Sequence, residues 1–135
     1  MAVHLEFVVL GPPVSNQSPG PNLNTWRATI AGAATLNWPN SPILGELKAI
    51  IINFYGGNRP SVDVDNMSKP ILDEMQHIVY RDDRQIVQAE ITHVKIAAAF
   101  SIIGVRPIIV NSIRSGNEFV YVRIEDAIDP FPLPK

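Results

Sequence analysis

The stretch VDVDNMSKPILDEMQ, residues 62–76, changes part-way from a pattern typical of a strand to one typical of a helix. Its first four residues alternate apolar and acidic side chains, which predicts an extended segment. The apolar residues that follow recur at helical spacing, at Met67, Ile71, Met75, Ile78 and Val79. Pro70 is expected in the first turn or so, because a deeper proline loses a hydrogen bond and clashes with a preceding carbonyl. We therefore expect the helix cap at Asp65 or one of the next three residues.

Apolar segments on both sides of this stretch predict the strands of a sheet. LKAIIINFY at 47–55 is β-branched and nearly continuous, which indicates a central strand buried on both faces. IVQAEITHVKIAAAF at 86–100 predicts a long strand whose alternation slips between Ile91 and Val94, as at a β-bulge. VHLEFVVL at 3–10 and NEFVYVRIED at 117–126 alternate and predict the first and last strands.

Two more helices are predicted outside this region. TWRATIAGAATLNW at 25–38 has a helical apolar face, with Thr25 as its N-cap. VRPIIVNSIRSG at 105–116 is consistent with a short helix opened by Pro107 and closed by Gly116. We predict one α+β domain over residues 1–135, a mixed β-sheet flanked by helices, with a proline-rich tail at 129–135. The apolar segment 96–113 is expected in the core or at a dimer interface.

Composition limits the function classes. A chain of 135 residues with 46% hydrophobic content can bury one core, and the lack of cysteine excludes disulfides and thiolate metal sites. The N-terminal apolar run is too short and too mixed for a signal peptide or a membrane span, so we expect a cytoplasmic protein with no membrane partner. The net charge of −2 argues mildly against a nucleic-acid binder.

Four of the acids between residues 63 and 83, namely Asp63, Asp65, Asp82 and Asp83, weaken that argument from net charge, because bound cations would offset their local charge. In an extended segment Asp63 and Asp65 point to the same side, with Cα atoms roughly 6.5 to 7 Å apart, and their carboxylates repel unless a cation lies between them. Oxygen ligands favour Mg²⁺ or Mn²⁺. Asp82 and Asp83, beyond the helix, supply further carboxylates if the chain doubles back. The acids therefore have the character of a catalytic magnesium site.

Lys69 lies four residues after Asp65, one helical turn further on. A metal held by carboxylates beside a lysine can hydrolyse phosphodiesters, because the cation activates water and the ammonium offsets charge in the transition state. An ordinary structural explanation stays open. In that explanation Asp65 is an N-cap, Lys69 is the i to i+4 partner of Asp65 and Asp73, and the acids at 82–83 favour a turn.

Few other side chains suggest chemistry. The histidines, His4, His77 and His93, share no metal-ligand spacing, so we interpret them as structural or surface residues. Arg59 lies four residues before Asp63 and is a candidate for holding a DNA phosphate.

The run VDVDNMSKPILDEMQHIVYRDDRQIV, residues 62–87, resembles the core motif of the RusA family of endodeoxyribonucleases, which are Holliday junction resolvases of phage type. That motif is D-x-D-N, an apolar residue, a variable one and lysine, then an amphipathic helix and D-D-x-Q followed by two apolar residues. In the family the helix ends in a short aromatic or apolar segment before D-D. The matching residues here are Asp63, Asp65, Asn66, Met67, Lys69, Tyr80, Asp82, Asp83, Gln85, Ile86 and Val87.

The resemblance implies a homodimeric α+β nuclease that cuts four-way DNA junctions with Mg²⁺ in DNA recombination and repair. It implies that Asp63, Asp65 and Asp83 bind the metal and that Lys69 is the catalytic lysine, with Asp82 a further candidate ligand. Candidates for DNA phosphate contacts are Arg27, Arg59, Arg81 and Arg84. Two alternatives remain: a non-catalytic branched-DNA-binding protein, of prophage origin for example, and a nuclease of the same fold that cuts flaps or other branched structures.

Overall fold

Strands and helices alternate along the chain in the computed structural model, which describes residues 2–97 and 101–135. The elements are β1 (Val3–Leu10), α1 (Gly20–Asn37), β2 (Leu47–Tyr55), α2 (Val64–Met75), β3 (Ile86–Lys95), α3 (Pro107–Ser115) and β4 (Phe119–Asp126). The strands form one sheet in the order β1-β4-β2-β3, in which β2 and β3 are parallel and the other pairs are antiparallel. The predicted α+β fold with a mixed sheet is confirmed.

The core has two parts, one on each face of this sheet. The larger part packs α1 and α2 against the sheet, and its fully buried side chains include Ile30, Ile51 and Ile71. The smaller part lies under α3, where Phe54 and Phe119 stack with ring centroids 4.4 Å apart. The prediction of β2 as a central strand buried on both faces is confirmed, because its side chains contribute to both parts.

Helix α1 starts earlier than predicted. It begins at Gly20 with a proline in its first turn, where the missing N–H needs no partner. The expected cap, Thr25, lies inside the helix and donates its hydroxyl to the carbonyl of Pro21. The glycine and proline residues before Thr25 therefore open this helix and do not form a loop.

Helix α2 also differs from its prediction at the N-terminus. It begins at Val64, and its cap is Asp63, whose Oδ1 accepts from the backbone N–H of Asn66 at 3.0 Å. The expected pair of extended, same-facing aspartates is therefore wrong, since Asp65 already lies in the first helical turn. An aspartate at the N-cap accepts from a backbone N–H that has no partner within the helix. The stability from this hydrogen bond favours a helix that starts at Val64 over the extended segment that the alternation predicted.

Pro70 lies in the interior of α2, not in its first turn as predicted. A proline cannot donate to the carbonyl four residues earlier, which is that of Asn66. Here that carbonyl accepts instead from the backbone N–H of Asn16 at 2.9 Å. The loop after β1 thus satisfies the acceptor that Pro70 leaves without its usual partner.

Strand β3 is shorter and more regular than expected. It ends at Lys95, and its pairing with β2 is regular from Gln88 onwards, so the bulge predicted between Ile91 and Val94 is wrong; the shift in register lies at the start of the strand. The end of the predicted strand, residues 98–100, lies outside the described residues.

The segment after β3 leads into α3, which runs from Pro107 to Ser115 and closes at Gly116 with a φ of 78°, as predicted. Ile109 belongs to the smaller core, whereas the side chain of Ile103 is 92% exposed. Within the described residues, no helix is both long and apolar enough to cross a membrane.

Candidate active site

The N-terminus of α2 lies at the edge of the sheet where the parallel strands β2 and β3 end. Asp63 is exposed there and lines a groove of about 600 Å³ together with Arg59 and His93. One oxygen of the Asp63 carboxylate serves as the helix cap. The carboxylate is therefore fixed by the helix while it remains open to solvent.

Asp65 and Lys69 lie one turn apart on the outer face of α2. Both are exposed, and Lys69 Nζ lies 3.3 Å from Asp73 Oδ2 in an i to i+4 pair. Asp65 makes no salt bridge with any described residue. Its position in the first turn is favourable for a negative charge, because the helix dipole is positive at that end.

The turn between α2 and β3 distinguishes Asp82 from Asp83. Asp82 caps a 3₁₀-helix, Asp83–Gln85, by accepting from the backbone N–H of Arg84 at 2.9 Å. It also pairs with the Arg84 guanidinium at 2.8 Å. These hydrogen bonds hold the pKa of Asp82 well below its usual range, with the side-chain bond from Arg84 as the largest cause. Asp83 is exposed and forms no salt bridge within the described parts of the chain.

Gln85 fixes this turn to the rest of the molecule. Its side-chain oxygen accepts from the backbone N–H groups of Arg81 and Asp82, at 2.9 and 3.1 Å. Its side-chain nitrogen donates to the carbonyls of Ile43 and Gly45, both at 2.9 Å. A glutamine has the two donors and the acceptor oxygen that this arrangement needs, which explains its place in the motif.

The two halves of the motif meet beside α2. Lys69 and Asp83 line one groove of about 320 Å³, with Asp73 at its side and Leu72 and Ile86 among its apolar walls. The neighbouring Tyr80 is fully buried; burial raises the pKa of its hydroxyl, and the negative charges of Asp73 and Asp83 raise it further. The chain therefore doubles back and brings Asp83 beside Lys69, while Asp63 lines a separate groove.

The acidic side chains do not form a preassembled metal group in residues 2–97 and 101–135. No three acidic or histidine side chains there stand close enough together to hold an ion. Asp63 opens into one groove and Asp83 into another. The donor set itself fits a hard ion, because Asp63, Asp65 and Asp83 are exposed oxygen ligands without salt bridges to described residues.

The comparison with known families decides the identity. The family model for the endodeoxyribonuclease RusA matches residues 19–125, which include both halves of the motif. The chain belongs to the RusA endodeoxyribonuclease family. The family is one of Holliday junction resolvases, so its members act on branched DNA. Among curated proteins, no match to the chain is found.

The candidate DNA-binding arginines of this RusA family member fall into two groups. Arg27 is engaged within the chain, with its guanidinium 3.2 Å from Glu74 and 3.3 Å from the side-chain oxygen of Asn16. Arg84 is engaged by Asp82. Arg59 and Arg81 are exposed and make no salt bridge with described residues. These two are the arginines most available to phosphate.

A pair of polar residues beside Asp63 was not predicted from the sequence. Asn53 on β2 and His93 on β3 are opposite each other in the parallel register, with Asn53 Nδ2 3.1 Å from His93 Nδ1. Burial lowers the pKa of His93, while the charge of Asp63 and the carbonyl of Val62 oppose that shift. Only the register of the two strands brings these residues together, and no spacing in the sequence encodes it.

Proposed function

We propose that this RusA family member is a Mg²⁺-dependent endodeoxyribonuclease that hydrolyses phosphodiesters at four-way DNA junctions, in DNA recombination and repair in the cytoplasm. The observation that carries the proposal is the groove shared by Lys69, which lies on α2, and Asp83, which lies in the turn between α2 and β3. Asp65 lies one turn from Lys69 on the same helix face. Mn²⁺ has the same preference for oxygen ligands and would substitute for Mg²⁺.

Each residue of the site has a separate task in this proposal. Asp63, Asp65 and Asp83 would hold the cation, which supplies activation of water and stabilisation of charge on the phosphate. Lys69 is 60% exposed and can reach a phosphate oxygen, where its ammonium offsets the negative charge that grows in the transition state. Asp73 accepts from Lys69 and restricts its direction. We assign Asp82 chiefly to support of the turn, because Arg84 already pairs with it, and place it behind Asp83 as a candidate ligand.

Junction resolution also requires two cuts on opposing strands, and we propose a homodimer that supplies one site to each. Arg59 and Arg81 would contact phosphates near each site, with Arg27 and Arg84 contributing less because they are paired within the chain. A molecule with a net charge of −2 and two unpaired arginines near the site neutralises few phosphates, so we expect weak DNA binding whose affinity falls only gradually with salt. Sedimentation equilibrium that reports only the monomer mass would remove the homodimer from the proposal.

The neighbouring aspartates provide a direct test. We expect Asp83→Asn to slow cleavage of a synthetic four-way junction in Mg²⁺ by about 100-fold or more, because it loses a ligand charge. The matched variant Asp82→Asn should cleave at near the normal rate but unfold slightly more readily, since it loses the charge that pairs with Arg84. Initial rates of product formation and thermal melting measure both effects. Normal cleavage by Asp83→Asn would remove this residue from the site.

One observation favours a second candidate function. Because no three acidic side chains in the described residues stand together, the fold would also suit a protein that binds branched DNA without cutting it. That alternative predicts retention of a junction in a gel with no product in either Mg²⁺ or Mn²⁺. Parallel assays of junction, flap and linear duplex separate it from a nuclease for other branched structures.

A further inference from the structure

Asn53 and His93 form a polar pair beneath the start of α2. Asn53 is only 1% exposed, and its amide nitrogen donates to Nδ1 of His93. The ring of Tyr55 meets the His93 ring edge to face, with centroids 6.4 Å apart and an interplanar angle of 88°. Asn53 and Tyr55 together restrict how the imidazole can turn.

Two buried atoms of this pair have no hydrogen-bond partner among the described residues. They are Oδ1 of Asn53 and Nε2 of His93. Leaving a buried polar group unsatisfied costs about 1 to 3 kcal/mol, so such atoms need an explanation. Since Nδ1 accepts from Asn53, a neutral ring carries its proton on Nε2. His93 lines the same groove as Asp63, and both the Asp63 charge and the Val62 carbonyl in that groove favour a proton on its ring.

We propose that His93, held by Asn53, is a positioning residue for Asp63, and that its Nε2–H donates to the Asp63 carboxylate when that carboxylate binds a divalent cation. This inference rests on the function proposed above, because it assigns Asp63 as a metal ligand. The cap uses Oδ1 of Asp63, and a carboxylate has about four lone-pair sites, so the cap, His93 and the cation can share it. Metal-binding carboxylates are commonly oriented by such outer hydrogen bonds.

The test measures Mg²⁺ binding without DNA, by titration calorimetry on the full chain. His93→Phe keeps a ring but removes the N–H, and we expect it to weaken Mg²⁺ binding by about 10- to 100-fold. His93→Gln keeps an N–H donor and should restore most of the affinity. His4→Gln, at a histidine paired with Asp126, is the matched control and should bind Mg²⁺ like the wild type.

The outcomes separate the two proposals. If the wild type binds Mg²⁺ and His93→Phe binds it equally well, the role of His93 is overturned while the proposed function stands. If the wild type itself fails to bind Mg²⁺, the proposed function fails and the inference fails with it. Should His93→Phe not fold, Asn53→Leu replaces it. We expect that variant to bind Mg²⁺ several-fold more weakly than the wild type, and unchanged binding would overturn the inference. In ¹⁵N-histidine spectra of the free protein, a His93 proton on Nδ1 would also overturn the inference.

Discussion

Gln85 positions a candidate ligand that it does not itself contact. Its four hydrogen bonds tie the turn that carries Asp83 to the carbonyls of Ile43 and Gly45. We expect Gln85→Ala to lower the free energy of unfolding by about 1 to 3 kcal/mol, because it leaves polar backbone groups without partners. Cleavage should fall as well, since Asp83 is then less well held. Urea denaturation and initial cleavage rates provide the two measurements.

Gln17→Ala is a suitable control for this variant, since Gln17 is exposed and its side chain makes no hydrogen bond to described residues. If Gln85→Ala had the same free energy of unfolding as this control, the side chain of Gln85 would not stabilise the turn that carries Asp83.

At the level of single residues, the sequence identifies the motif but not every role within it. The order and spacing of Asp63, Asp65, Lys69 and Asp83 were sufficient to indicate a site. They could not separate Asp82 from Asp83, because adjacent acids differ only in where the backbone of the turn directs them. In the structure these two acids have different surroundings, because Arg84 forms a salt bridge with Asp82. The assignment of Asp63, Asp65, Asp82 and Asp83 as metal ligands remains a prediction.

Helix α2 depends on a contact from outside itself. The backbone N–H of Asn16 bonds to the Asn66 carbonyl that Pro70 cannot use. Asn16→Pro removes that donor, and we expect it to destabilise the protein more than Asn16→Ala, which keeps the N–H and loses only the side-chain contact with Arg27. Chemical denaturation of the two variants measures the difference.

Pro70→Ala completes a double-mutant cycle for this contact. An alanine at position 70 can donate to the Asn66 carbonyl from within the helix, so Asn16→Pro should cost less in that background than in the wild type. Equal costs in the two backgrounds would show that the Asn16 contact does not compensate for the proline.

At the level of elements, prediction succeeded where one pattern dominated the local sequence. Alternation identified β1 and β4, and Pro107 with Gly116 marked both ends of α3. It failed where two signals competed. The turn-forming residues before Thr25 concealed the first turn of α1, and the alternating V-D-V-D concealed the cap at Asp63. In both cases the missed feature is a helix start, where a few capping bonds decide the boundary.

On the scale of the whole molecule, an ion-pair network holds α3 against the far face of the sheet. Glu6 on β1 accepts from Arg106 at the start of α3, at 2.7 Å, and from the hydroxyl of Tyr121 at 2.6 Å. The hydrogen bond from Arg106 is the largest cause that lowers the pKa of Glu6 below its ordinary value of 4.5, although burial opposes it. Burial is the main cause that raises the pKa of Tyr121 to about 12.

This network makes global stability depend on pH. A carboxyl group whose pKa is lower in the folded state stabilises the fold above its unfolded pKa, and that stabilisation is lost as pH falls through the folded value. We therefore expect Glu6→Gln to lower the melting temperature at pH 7, and to lower it by less at pH 3. Differential scanning calorimetry at both pH values measures this. With Glu46→Gln, at an exposed glutamate, the melting temperature should not change.

The class of the fold followed from the alternation of apolar segments, but the arrangement of the site did not. The order β1-β4-β2-β3 places β3 beside β2, and this pairing brings Asn53 to His93 and Asp83 to the flank of α2. Such contacts join residues that are far apart in the chain and depend on strand order. Local periodicity carries no information about that order.

The parallel pairing of β2 with β3 has a consequence for the newly made chain. Asp63 precedes α2 and Asp83 follows it, so the two ends of the motif become neighbours of one helix only after β3 has docked. A nascent or partly unfolded polypeptide would carry all of these carboxylates and still lack the proposed site. Any activity of that site would then begin only when folding is complete.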